Sequence, residues 1–94
     1  MTKAKSMKLE VIRNEIDILD GKLLRLIKRR MILVQKISAV KKAGKIKLED
    51  NKREKEILSK IKYQANSLAM NKAFVTEIFR LLINQSKKIQ NETV

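Results

Sequence analysis

The chain has 94 residues and a formal net charge of +13, from 23 Lys and Arg against 10 Asp and Glu. That length suits one domain, residues 1–94, with a single core. It has no Cys, no His, no Pro and only two Gly, which excludes disulfide scaffolds, zinc centres, thiol nucleophiles and imidazole bases, and argues against turn-rich β folds.

Residues 8–43 read as one helix, since nothing in them breaks it except a tolerable Gly21. Leu9, Ile12, Ile16, Leu19, Leu23, Leu26, Leu33, Ile37 and Val40 recur at alternating spacings, the seam of helix–helix packing. The seam slot between Leu26 and Leu33 falls to Arg30. Gly44 fits a C-terminal cap, and residues 44–48 read as a loop. Glu49 or Asp50 can cap a second helix, which carries Ile57, Leu58 and Ile61 and runs to about Asn66. A short polar linker, Asn66 to Asn71, leads to a third helix. Its stripe is Val75, Ile78, Phe79, Leu82, Ile83, Ser86, Ile89 and Gln90. The expectation is an all-α fold of three helices with a very long first helix.

At about 1.5 Å per residue the first helix would be roughly 50–55 Å long. A compact domain of this size is about 30–35 Å across. The seam stays apolar to both ends, so a second copy of the chain is the expected cover, giving an intertwined helical homodimer. The longest unbroken apolar run is Met31 to Val34, far short of the ~20 residues that span a bilayer. The N-terminal residues are charged and lack the apolar stretch of a signal peptide. A cytoplasmic protein without membrane association is expected.

Polar residues interrupt the apolar stripes. A buried arginine at Arg30 needs a partner, because an unpaired charge in a core is strongly unfavourable. Lys41 returns to within about 20° of the same helix face, about 16 Å further along. The two long side chains could meet a ligand above Val34 and Ile37. Ser86 and Gln90 break the stripe of the third helix, and Asp50, Arg53 and Glu54 open the second beside Ile57 and Ile61. Each has a plain reading alone: a paired arginine, a tolerated serine, a frayed end, a cap, solvated charge. Together they outline a small, mostly cationic internal pocket on three helices.

From about Leu9 to Gln90 the residue pattern resembles the all-helical (type II) chorismate mutases. The resemblance rests on Arg13-x-x-Ile16-Asp17-x-Leu19-Asp20, on the spaced Arg30, Lys41 and Arg53-Glu54, and on Ser86-x-x-x-Gln90. These pieces are specific in combination. The resemblance implies conversion of chorismate to prephenate, on the branch toward phenylalanine and tyrosine. It further implies that Arg13, Arg30 and Arg53 hold the two carboxylates, with Ser86 near one of them. Lys41 and Gln90 match the pair that contacts the ether oxygen. Glu54 matches the carboxylate that takes the ring hydroxyl, with Asp50 beside it. Lys87 departs from the better-known bacterial pattern, which has an apolar residue there; turned inward, it adds charge.

The implied reaction is a concerted rearrangement of a dianion. It needs no nucleophile, proton transfer, metal or cofactor, which suits a chain without His or Cys. Arg13 precedes Arg30 by about 25 Å along the helix and about 100° around it. One helix cannot offer both to one small ligand, so Arg13 of the second copy is expected to complete the site.

Two other classes stay open on sequence. A nucleic-acid-binding module would use the basic excess, but only Tyr63, Phe74 and Phe79 are aromatic, leaving little for base stacking, and no helix-turn-helix turn is evident. No nucleic-acid partner is therefore expected. An isochorismate pyruvate lyase would share the helical fold and the polar set.

Overall fold

The structure, a computed structural model, describes residues 3–92. It contains α1 (Lys3–Ala43), α2 (Asn51–Ser67) and α3 (Lys72–Glu92), and no strand among the described residues. The all-α class and the very long first helix are as expected; α1 begins earlier than residue 8 because nothing between Lys3 and Met7 breaks a helix. None of the helices is long and apolar enough to cross a membrane, among the described residues.

The chain divides into two compact units, Met1–Ile32 and Leu33–Val94. The first is helix alone. Its seam residues Leu9, Ile12, Ile16, Leu19, Leu23 and Leu26 are 47–60% exposed.

The second unit holds the last turns of α1 with α2 and α3. Its buried apolar residues are Val34, Ala65, Val75, Ile83 and Ile89, and Ser38 and Thr76 are buried with them. The α3 stripe largely follows the expected spacing, because α2 and α3 pack on each other across a short connection. On α1 a second row is buried within the chain. Val34 and Ser38 are buried, whereas the seam residues Leu33, Ile37 and Val40 are 48–65% exposed. The inward face is therefore the row Val34, Ser38 and Lys41, one position round from the leucine seam. Arg30 is half-buried and lies four residues before Val34. Helix α1 thus carries two rows about 100° apart, and the aliphatic one is exposed in the single chain.

The helix ends show how the chain turns without proline. At the end of α1, Ile46 N–H donates to the Lys41 carbonyl at 2.7 Å and Lys45 N–H to the Lys42 carbonyl at 3.2 Å. This is a Schellman ending with Gly44 as the cap residue. The left-handed position falls on Lys45, at φ 54°, not on Gly44. Asp50 caps α2: its side chain accepts from the Arg53 backbone N–H at 3.0 Å. Asn66 and Ser67 stay helical, so the linker is Leu68–Asn71. Met70 N–H donates to the Ala65 carbonyl at 2.8 Å, with Ala69 left-handed at φ 55°. Asn71 Oδ1 then accepts from the Phe74 N–H at 3.1 Å and starts α3.

Candidate active site

The Schellman turn after Lys41 reverses the chain, bringing the Leu48 carbonyl back over the last turn of α1. Lys41 Nζ donates to that carbonyl at 2.8 Å and to Gln90 Oε1 at 3.3 Å. Both side chains are half-buried. The bond to Gln90 spans 49 residues of sequence and joins α1 to the end of α3. An ammonium has three N–H donors, one more than these two acceptors use. An amide whose oxygen accepts from Lys41 presents its nitrogen as a donor. The pair is thus a cationic donor beside a neutral one.

One turn earlier on α3, Lys87 reaches α2. Its Nζ lies 2.8 Å from Glu54 Oε1, with side-chain exposures of 41% and 25%. The hydrogen bond to Glu54 raises the Lys87 pKa from its ordinary 10.5; desolvation opposes it, and the negative charges of Glu54 and Glu49 add to it. Beside this pair is a concavity of about 220 Å³ lined by Leu48, Glu49, Lys87, Gln90 and Asn91.

The other expected residues take different roles in the single chain. Asp50 is exposed and serves as the α2 cap. Arg53 is exposed and its guanidinium pairs with Glu56 at 3.6 Å. Ser86 is half-buried and its hydroxyl donates to the Leu82 carbonyl at 2.8 Å. Arg13 and Arg30 belong to the first unit. There Arg13 is exposed and pairs with Glu10 at 3.1 Å, and Arg30 is half-buried. The structure therefore brings Lys41 to Gln90 and Lys87 to Glu54. It directs the guanidinium of Arg53 and the hydroxyl of Ser86 to their own helices.

Sequence reasoning missed the Leu48 carbonyl, Glu49 and Asn91. A backbone acceptor leaves no mark in a sequence, and Glu49 at the start of a helix reads as a cap. It also missed Ser38, fully buried one turn before Lys41; a serine in the Val34–Lys41 row was the available signal. Among the described residues, no cluster of three or more carboxylates stands close enough to hold a metal ion. The chemistry on offer is hydrogen-bond donation and charge, suited to an anion with a polar oxygen.

Comparison with known proteins agrees with that chemistry. Residues 12–91 match the family described as chorismate mutase type II. The chain is 32% identical over 85 residues to a chorismate mutase from Methanocaldococcus jannaschii, covering 90% of this chain and 86% of that one. It is 30% identical over 82 residues to a bifunctional chorismate mutase/prephenate dehydratase from Buchnera aphidicola, covering 87% of this chain but only 21% of that longer protein. Among solved structures, a conserved hypothetical protein from Pyrococcus furiosus aligns with a TM-score of 0.67 and 31% identity, over 88% of this chain and 95% of that one.

Proposed function

The chain belongs to the type II chorismate mutase family, and we infer that it is an isomerase converting chorismate to prephenate. The observation that carries this reading is the Lys41–Gln90 pair, in which Lys41 Nζ donates to Gln90 Oε1 at 3.3 Å and joins α1 to α3. In the rearrangement a C–O bond breaks as a C–C bond forms, and negative charge grows on the ether oxygen. Donors aimed at that oxygen stabilise the transition state more than the ground state, and this difference is the catalytic term. The rest of the site folds a flexible dianion into a compact, chair-like geometry.

In this reading Arg30, Arg53 and Arg13 of a second copy take the two carboxylates, Ser86 assists one of them, and Glu54 takes the ring hydroxyl with Asp50 beside it. The surface pairs Arg53–Glu56 and Arg13–Glu10 are compatible with it. Exposed pairs of this kind contribute only about 0–1 kcal/mol, so a bidentate substrate carboxylate can displace them. A hydroxyl rotates freely enough for Ser86 to leave its own helix carbonyl. The whole chain acts as one domain, and its working form is a homodimer. Two observations support the dimer. The leucine seam of α1 is exposed in the single chain. The concavity at Gln90, about 220 Å³, falls below the ~300–1,000 Å³ of complete small-molecule sites.

The test is loss of chorismate absorbance with purified protein, with and without a metal chelator, alongside pyruvate release from isochorismate. Turnover of chorismate unaffected by the chelator is expected. Pyruvate release without prephenate formation would assign the chain to lyase chemistry instead.

A further inference from the structure

Lys87 belongs to one of the two functional pairs and neighbours the other. It is three residues from Gln90 on α3 and lines the same concavity, yet its ammonium crosses to α2 and sits 2.8 Å from Glu54. Glu54 is the less exposed partner, at 25%, and the Lys87 hydrogen bond engages one of its two carboxylate oxygens. A carboxylate beside a dianion repels it, and a loosely held one makes a poor acceptor for a single hydroxyl. An ammonium at 2.8 Å offsets the first effect by its charge and the second by fixing the carboxylate. Glu49 adds a second negative charge near Lys87.

We propose that Lys87 is a positioning residue that orients and neutralises Glu54 as the acceptor of the substrate's ring hydroxyl. The proposal rests on the chorismate mutase reading above. Lys87 acts through Glu54, so its effect depends on the hydroxyl being present. The experiment compares wild type, Lys87→Met, Lys87→Arg, Glu54→Gln and the Glu54→Gln/Lys87→Met double variant. Each is assayed on chorismate and on an analogue carrying hydrogen in place of the ring hydroxyl. Circular dichroism checks folding.

For a half-exposed, charge-assisted bond, Lys87→Met should lower kcat/KM on chorismate roughly ten-fold, mostly through KM. Lys87→Arg should recover most of that, which a packing role for the lysine stem would not predict. On the analogue the loss should be about two-fold or less, and the double variant should match Glu54→Gln alone. Equal losses on both substrates, additive losses in the double variant, or no loss in Lys87→Met would each overturn the proposal while wild-type turnover left the functional reading standing. A wild-type protein that does not consume chorismate would overturn both.

Discussion

Gln90 is the residue at which a change of one atom changes the chemistry. Its amide oxygen accepts from Lys41 at 3.3 Å, and its nitrogen can donate at any working pH. In Gln90→Glu a carboxylate faces Lys41 and, at neutral pH, opposes the charge growing on the ether oxygen. The loss at pH 7 should be about 10²–10³ in kcat/KM, the scale of one removed oxyanion donor. Activity should recover as that glutamate protonates in acid. The profile of kcat/KM against pH tests this; a flat profile at wild-type level would remove Gln90 from the site. Lys87 titrates at the other extreme. Its hydrogen bond with Glu54 raises its pKa above 10.5, so the folded state holds that proton more tightly than the unfolded chain. From neutral pH up to 10.5 the stabilisation from the pair is fully present, and it fades as pH rises through the raised value. Urea midpoints of wild type and Lys87→Met should differ by a constant amount from neutral pH up to 10.5 and converge above the raised value. Asp50 has a role visible without substrate, capping α2 through the Arg53 N–H. Asp50→Ala should lose about 1 kcal/mol of stability, while Asp50→Asn keeps the cap. Lower kcat/KM in a normally stable Asp50→Asn would then report contact with substrate.

At the scale of elements, the turns store a small, removable strain. Both inter-helix connections use a left-handed residue that has a side chain, Lys45 after α1 and Ala69 after α2. The usual occupant is glycine, which reaches that conformation without Cβ crowding. Ala69→Gly should therefore stabilise the chain by about 1 kcal/mol, read as a higher urea midpoint with an unchanged slope. A lower midpoint would mean that unfolded-state entropy outweighs the relief. The helices themselves were legible because their signals are local. Asp50 is a short side chain that reaches a backbone N–H three residues on, and the α3 stripe repeats at helical spacing; Asn71, read only as linker, caps α3 in the same way. The inward row of α1 was not legible: Val34, Ser38 and Lys41 are a mixed set beside a cleaner leucine row, and spacing favours the cleaner one.

For the molecule as a whole, the decisive feature is the apolar seam of α1, with Leu9, Ile12, Leu19, Leu23, Leu33 and Val40 all 47–65% exposed. Such a row in water favours a second copy. Light scattering should give about twice the 10.9 kDa chain mass; a folded monomer at micromolar concentration would remove both the dimer and the shared site. The sharing has its own test. Arg13→Ala and Arg30→Ala chains should each be nearly inactive alone. Mixed under exchange, their heterodimer has one site with both arginines and one with neither, so activity should reappear. Proven heterodimers without recovery would put the two arginines in the same chain's site or outside it.

Neighbours along the chain were enough to read the three helices, the Gly44 and Asp50 caps, and the polar residues that interrupt apolar stripes. Helix formation and capping depend on contacts within a few residues, so composition and spacing suffice to read them. The family resemblance was legible for the same reason, since a spaced set of residue types is a property of one strand of text. The tertiary structure alone decided which row of α1 faces inward, that Lys41 binds the Leu48 carbonyl, and that Lys87 crosses to Glu54. Burial and pairing between helices depend on what packs opposite. Two rows on one helix have the same period, and only the neighbouring helices distinguish them.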